Sequence, residues 1–261
     1  MFLLHDCQDS WPGLHDHPAV CAEFKQRSMG LVLDFASRID RTATAVSPSR
    51  RVIAHLRDTG FCDGVLVTHH PMHWDLKTPQ VWSFPDTESL NFMRDQRIAL
   101  YALHTPLDRD GPCATGRTFA EAIGMHVEQT FYPYMGHEAG VVGQSPTDNL
   151  RQLARIIASA VGHEVATHRY NTASLDRVAV VGGGVDLQAI EQAAALGVQA
   201  LVTGISVINA HSASAHHAAE RSGMAWIGAS HYSSERFACE ALAVSLRSLG
   251  LPSFFWGIRG T

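Results

Sequence analysis

Histidine and carboxylate side chains follow short apolar segments at three places in this 261-residue chain. His69 and His70 are adjacent and directly follow Gly64–Thr68. The spacing His-x-x-x-acid then occurs twice, at His104–Asp108 and at His231–Glu235. Imidazole and carboxylate groups, with no cysteine among them, are the ligands from which hydrolytic divalent-metal sites are built. The motifs therefore predict a dinuclear metal centre, in which the carboxylate of Glu235 is able to bridge the ions.

Each motif alone also fits a structural role. Adjacent strand residues point to opposite faces, so His69 and His70 can serve neighbouring metals only where the chain turns at Pro71. One imidazole of the pair can instead cap a turn while the other packs in the core. Asp108 can accept backbone N–H bonds in a turn, and Glu235 can simply complement a helix dipole. Because all three motifs converge at predicted strand ends, we favour the metal interpretation.

Strand and helix patterns alternate along the chain in an order that would bring these motifs together. Helical patterns cover residues 50–59, 87–96, 187–196 and 216–222, and strand patterns cover 64–68, 98–103, 176–181, 199–203 and 225–228. Both halves follow the order helix, strand, polar turn, helix, strand, His-x-x-x-acid. This predicts an α/β fold of two similar, pseudo-duplicated lobes, with the metal site between them at the C-terminal ends of mainly parallel strands.

The lobe boundaries are predicted from a glycine-rich segment. Residues 131–144 contain one proline and three glycines, which reads as a break that begins the second lobe. We therefore expect a metal-bearing lobe formed by residues 1–127 and 225–261, and a second lobe formed by residues 128–224.

A last helical pattern, Arg236–Leu246, lies next to the third motif. It places His231 just before the helix and Glu235 in the first turn, where the helix dipole favours a carboxylate. The structural alternative is that Ser233 or Ser234 is the N-cap and Glu235 only complements the dipole, and both roles can hold at once.

The composition argues against several kinds of partner. The net charge is −5 and no Lys/Arg cluster is present, so the chain has no electrostatic footprint for nucleic acid or for an anionic membrane surface. No stretch approaches the roughly 20 apolar residues of a membrane span. The five cysteines show no C-x-x-C spacing, which fits reduced thiols. We expect a cytoplasmic globular protein that acts on a small molecule.

In combination, four motifs resemble a known family. They are His69-His-Pro with Trp74 soon after, His104-Thr-Pro-Leu-Asp108, Thr203-Gly204 and Gly228-Ala-Ser-His231-Tyr-Ser-Ser-Glu235. Over about residues 65–241 the chain is similar to the YbgI-type proteins, also called the Ngg1-interacting-factor-three-like family. This resemblance implies an α/β fold of two similar lobes, a dinuclear metal centre and commonly a ring-shaped hexamer. Members are often labelled GTP cyclohydrolase I type 2, which implies hydrolytic ring opening.

The same resemblance implies a set of metal ligands, namely His69, His70, Asp108, His231 and Glu235. It places His104 beside them as an extra ligand or a proton shuttle.

The chain also departs from the family pattern. The family has an acidic residue soon after the Thr-Gly turn, whereas here only His217 matches a family histidine. The residues before His217 form an insert, which contains Asn209, His211 and His216. We interpret this insert as a variable loop that faces the site. These differences put GTP in doubt as the substrate.

The chemistry expected of such a centre is hydrolysis of a C–N bond in a small cyclic amide or N-heterocycle, by a water held between two divalent ions of zinc, iron or manganese. His104 or His217 is suited to pass a proton to the leaving nitrogen, and Glu235 completes the expected catalytic set. Three alternatives remain open: a metal-binding chaperone without turnover, an interaction scaffold with a vestigial site, and a phosphoesterase. A homo-oligomer, hexameric by resemblance, is expected in each case.

Overall fold

The protein divides into two compact units in a computed structural model that describes residues 14, 16–27, 29–74, 82–170, 174–210 and 212–257. The first unit comprises the described residues up to Pro106 together with 239–257, and the second comprises residues 107–238. The boundaries expected from the sequence, after residues 127 and 224, both fall within the second unit. The reason is that the strands beside them are hydrogen-bonded into the sheet of that unit.

The first unit contains a five-stranded sheet, a small hairpin and helices. Its sheet strands are β1 (Gly30–Leu33), β2 (Arg41–Ala45), β3 (Gly64–Thr68), β6 (Ile98–Ala102) and β13 (Ser253–Phe255), and the hairpin strands are β4 (His73–Trp74) and β5 (Trp82–Ser83). Its helices include α1 (Ala22–Arg27), α2 (Arg50–Asp58) and α3 (Thr87–Asp95). The strand order is β1-β6-β3-β2-β13, and every pair is parallel except β1 with β6.

Local sequence explains the two longer helices of this unit. The side chain of Ser49 accepts the backbone N–H of Val52 at the start of α2, and Asp86 accepts that of Ser89 at the start of α3. These N-caps satisfy backbone donors that a helix leaves without an intrahelical partner. Apolar residues such as Leu56 and Met93 then pack against the sheet, and both are fully buried.

The second unit contains a six-stranded sheet with helices. Its strands are β7 (His126–Tyr134), β8 (His137–Gln144), β9 (Ala166–His168), β10 (Arg177–Val181), β11 (Ala200–Thr203) and β12 (Ala225–Gly228). Its complete helices are α5 (Thr115–Ala122), α6 (Leu150–Val161), α7 (Leu187–Ala195) and α8 (Ala213–Arg221). Helices α4 (His104–Asp108) and α9 (His231–Ser248) run across the unit boundaries. The order is β7-β8-β10-β11-β12-β9, with β10, β11 and β12 parallel.

Strand β10 shows why the second sheet is apolar on both faces. Val178 and Val180 pack into one core cluster with Phe119 and Ile157, while Ala179 and Val181 belong to a second cluster on the opposite face. A strand covered on both faces gives a continuous apolar run rather than an alternating one. Each unit is thus an α/β layer structure, and the predicted fold class of a two-lobed α/β protein is confirmed.

The glycine-rich segment is not a break, contrary to the sequence-based expectation. Residues 131–144 lie almost entirely in the antiparallel pair β7–β8. The glycines are needed for close packing, because a Cβ at Gly140 or Gly143 would lie less than 3.0 Å from the Phe131 ring or from the backbone of His126.

Among the described residues, no helix is long and apolar enough to cross a membrane.

Candidate metal centre

Strands β3 and β6 bring two of the predicted motifs to one edge of the first sheet. They are parallel neighbours, with Thr68 paired to Ala102 at their C-terminal ends. His69 and His70 follow β3 directly, and His104 begins helix α4 two residues after β6. Parallel strands end at the same edge, so His104 becomes a neighbour of the adjacent pair His69 and His70.

The three imidazoles form a compact buried cluster. The rings of His69 and His104 are stacked, with centroids 4.7 Å apart and planes inclined by 16°. The ring of His70 lies 4.4 Å from that of His69 and 5.0 Å from that of His104. Each residue offers one ring nitrogen within 4.8 Å of the others. His69 and His70 are buried, and His104 is half-buried.

This donor set fits a divalent transition metal. Neutral imidazole is a common ligand of zinc, iron and manganese, and three ring nitrogens at this separation can converge on one ion. A turn cap beside a core histidine would not need a third imidazole from another part of the chain. The structure brings His69, His70 and His104 together.

Three parallel strands position the third motif in the second unit. Val181, Thr203 and Gly228 are in register at the ends of β10, β11 and β12. A glycine turn follows the first of these strands, Gly204 follows the second, and His231 follows the third after two residues. The motif thus lies at the C-terminal edge of the sheet, where ligands bind in open α/β folds.

Helix α9 holds His231 and Glu235 one turn apart. The helix begins at His231 itself, so the expectation that this residue lies before the helix is wrong. The reason is that the N-cap bond comes from Ser230, whose Oγ accepts the N–H of Ser233, and not from Ser233 or Ser234. Nε2 of His231 lies 3.0 Å from Oε1 of Glu235, and the Glu235 carboxylate is only 3% exposed.

Two glycines allow the backbone to approach this pair. A Cβ at Gly183 would lie less than 3.0 Å from Oε1 of Glu235 and 3.2 Å from Nε2 of His231, and the backbone there has φ +65°. A Cβ at Gly204 would lie 2.5 Å from Oγ of Ser234. The backbone of the Gly182–Gly184 turn therefore lies directly against the carboxylate of Glu235.

Asp108 ends the short helix α4, which places it four residues after His104 on the same face of the turn. Its side chain is 8% exposed, and its Oδ1 accepts a hydrogen bond of 3.3 Å from the Thr115 hydroxyl. The segment that leads to Asp108 is thus a single turn of helix. The i, i+4 spacing explains why the histidine and the carboxylate recur at this separation.

A buried phenol lies near Asp108 in the second unit. Tyr132 has φ +67°, a conformation that is rare for an aromatic residue, and it is 4% exposed. Burial, followed by the negative charge of Asp186, raises the pKa of the Tyr132 phenol well above its usual range, and Asp108 contributes in the same direction. Tyr132 is therefore a neutral hydroxyl group at neutral pH. No pattern in the sequence distinguishes Tyr132 from the other tyrosines.

His217 lies outside both histidine clusters of the described residues and is exposed on helix α8. Its neighbour His216 is buried instead, with its ring 3.8 Å from that of Trp226. Burial, with help from His168, lowers the pKa of His216 to about 4. In the insert, His211 lies outside the described residues, and Ser212 closes a turn by donating its hydroxyl to the carbonyl of Val207.

Comparison with known proteins places this arrangement in a family context. A family model described as Duf34/NIF3 (NGG1p interacting factor 3) matches residues 18–255. A protein of Deinococcus radiodurans named GTP cyclohydrolase 1 type 2 homolog is 28% identical over 225 residues, which cover 85% of this chain and 82% of that relative.

Two solved structures share the fold. Protein ybgI, described as of unknown function, is similar with a TM-score of 0.69 at 22% identity, over 87% of this chain and 91% of that one. TTHA1606 from Thermus thermophilus is similar with a TM-score of 0.66 at 23% identity, over 90% and 91%. At these identities the structures show a common fold and nothing more.

Proposed function

This chain belongs to the Duf34/NIF3 family, and we propose that it is a metal-dependent hydrolase that cleaves a C–N bond of a small cyclic amide or N-heterocycle. The observation on which the proposal depends is the buried cluster of His69, His70 and His104, whose ring nitrogens lie within 4.8 Å of one another. Ring nitrogens at this separation are typical of histidines that bind a metal ion or lie directly beside one.

The proposed ligands of two divalent ions are those expected from the sequence. They are His69, His70, Asp108, His231 and Glu235. Three imidazoles and two carboxylates form a mixed nitrogen and oxygen set that suits zinc, iron or manganese. When bound, such ions polarise a carbonyl group and bring the pKa of water toward neutrality.

The protein side chains have separate tasks in this proposal. Glu235 is held as a buried carboxylate against the Gly183 backbone, so its position is fixed before a ligand arrives. His104 belongs to the imidazole cluster but not to the proposed ligand set. We assign it the role of holding a proton at a ring nitrogen and passing it to the leaving nitrogen of the substrate. His217 is the second candidate for that role.

The substrate class is supported by the names of the relatives. Several are named GTP cyclohydrolase 1 type 2 homolog, and a cyclohydrolase opens a ring by hydrolysis. The substrate proposed for this chain is a small cyclic amide or N-heterocycle rather than GTP itself, because the insert after Gly204 departs from the family pattern. The protein is further proposed to act as a homo-oligomer, which mass measurement of the native protein tests directly.

The test is hydrolysis by metal-loaded protein of a panel of cyclic substrates: dihydrouracil, hydantoin, dihydroorotate and GTP. The proposal predicts ring opening of at least one compound, with kcat reduced about 100-fold in His104→Gln at normal metal content. Metal binding without turnover of any member of a broadened panel would favour a metal-delivery protein. Turnover of phosphate esters alone would favour a phosphoesterase.

A further inference from the structure

Side chains that do not belong to the proposed ligand set connect the start of α9 to the end of α6 by hydrogen bonds. Nε2 of His163 lies 2.9 Å from Oγ of Ser233, and the guanidinium of Arg236 donates a 2.7 Å hydrogen bond to the carbonyl of Ala160. Ser233 lies in the turn that begins at His231, and Arg236 lies in the next turn. The sequence offers no local signal for this pairing, because His163 and Ser233 are 70 residues apart.

The tautomer of His163 follows from its other contact. Nδ1 lies 2.7 Å from the backbone carbonyl of Glu164, and a carbonyl oxygen can only accept, so Nδ1 carries the hydrogen. Nε2 of the neutral ring is then an acceptor, and the Ser233 hydroxyl must donate to it. The Ser233 hydroxyl also lies 3.1 Å from the Ser230 carbonyl, so its proton is shared between two acceptors.

With its proton directed to these acceptors, Oγ of Ser233 has only acceptor capacity left. It accepts the N–H of Ser230 at 3.1 Å and the hydroxyl of Ser230 at 2.9 Å, while Oγ of Ser230 accepts the N–H of Ser233 at 3.1 Å. This is a reciprocal cap of the helix N-terminus. If His163 were absent, the Ser233 hydroxyl would donate to the Ser230 carbonyl alone, and the hydrogen bond that joins this cap to the segment after α6 would be lost.

The neighbouring Ser234 forms hydrogen bonds with different groups from those that Ser233 contacts. It donates to the carbonyl of His231 at 2.8 Å and accepts the N–H of Gly183 at 2.9 Å. Successive serines thus connect one helical turn to two separate parts of the unit. His231 and Glu235 lie one turn apart on either side of these serines and take their positions from these connections.

Resting on the proposed function, we infer that His163 is a positioning residue, which holds the first turn of α9 so that His231 and Glu235 keep the geometry needed to bind metal. The His163–Ser233 pair is not a nucleophile and its base. Ser233 is 3% exposed and its oxygen is fully engaged in the helix cap, so it has no path to a substrate.

The test compares three variants of the full chain: His163→Ala, His163→Gln and Asn149→Ala. Removing His163 deletes one hydrogen bond at a helix N-terminus. Asn149→Ala also deletes one hydrogen bond at a helix N-terminus, because the Asn149 side chain caps α6 by accepting the N–H of Gln152. This cap lies at the end of α6 opposite His163, and the helix between them is roughly 18 Å long at 1.5 Å per residue. The two truncations therefore lower stability by similar amounts, which thermal unfolding verifies. The glutamine variant restores an acceptor for the Ser233 hydroxyl.

The readouts are the affinity for Co²⁺ and the visible absorption of the bound cobalt. His163→Ala should weaken Co²⁺ binding by about 10-fold, a loss at the low end of what is seen when groups that orient metal ligands are removed. The same change should alter the absorption spectrum of the bound cobalt. Asn149→Ala should match the wild type in both, and His163→Gln should recover most of the affinity.

Two results would overturn the inference: wild-type Co²⁺ affinity in His163→Ala, or an equal loss in Asn149→Ala, which would trace the effect to stability alone. A wild-type protein that binds no Co²⁺ would refute the proposed function itself, and the inference with it.

Discussion

Replacing Gly183 by alanine should impair metal binding far more than it impairs folding. The new Cβ would lie less than 3.0 Å from Oε1 of Glu235, whereas ordinary van der Waals contact begins at 3.4 Å. The carboxylate must therefore move by at least 3.4 − 3.0 = 0.4 Å. Metal–ligand distances tolerate only about 0.2 Å, so a displacement of this size removes Glu235 from any ideal coordination geometry. We expect metal affinity to fall between about 10- and 100-fold.

Backbone strain is a second consequence of this change and needs its own control. Gly183 has φ +65°, and a left-handed conformation costs an alanine about 1–2 kcal/mol. Gly197 has φ +72° in the same unit, and nothing lies within 4 Å of a Cβ placed there. Gly197→Ala therefore reproduces the strain without touching Glu235.

The assay is competitive metal titration against a chelator, with urea unfolding of the metal-free proteins measured in parallel. Both alanine variants should lose a similar free energy of unfolding, and only Gly183→Ala should lose metal affinity. If the two variants bind metal equally well, the position of Glu235 against the Gly183 backbone is not what determines affinity. The reasoning about this contact would then be refuted.

Three other changes test separate parts of the account. Burial lowers the pKa of His216 to about 4, so the unfolded chain takes up a proton at this residue before the folded protein does as the pH falls. The free energy of unfolding should therefore decrease by up to about 3 kcal/mol between about pH 6.5 and pH 4. This decrease should be absent in His216→Phe. Gly143→Ala places a Cβ against the backbone carbonyl of His126, which cannot move away, and should lower the free energy of unfolding by about 3 kcal/mol with a matching fall in Tm. Removing a metal ion that had been present at 100 times its Kd should lower the free energy of unfolding by about 2.7 kcal/mol. A melting curve that is unchanged after treatment with a chelator would argue against a bound ion.

The strand ends were the predictable part of this molecule. The apolar run Gly64–Thr68 and its polar continuation give the strand and its end directly, and parallel pairing with Ile98–Ala102 then places His69 near His104. Likewise, the apolar run at Ala225–Gly228 indicates the strand that precedes His231. These positions follow from local patterns and from one rule about parallel sheets, so the sequence was sufficient.

The details that fix the ligand geometry were not predictable in the same way. The start of α9 depends on Ser230 and its reciprocal bonds with Ser233, whereas the sequence pointed to Ser233 or Ser234 as the N-cap. The role of Gly183 depends on an approach to Glu235 from another strand. Glycines at 140 and 143 suggested a flexible break because their sequence looks the same whether they serve a turn or close packing. Each of these features depends on contacts between segments distant in sequence.

Metal content is the measurement that tests the central claim most directly. Protein purified without oxygen and without chelator should contain close to two divalent ions per chain by elemental analysis. The content should fall sharply in Glu235→Ala and in His70→Ala, while Asn149→Ala should retain it. No metal in the wild type, even after reloading with zinc, iron and manganese, would contradict the account.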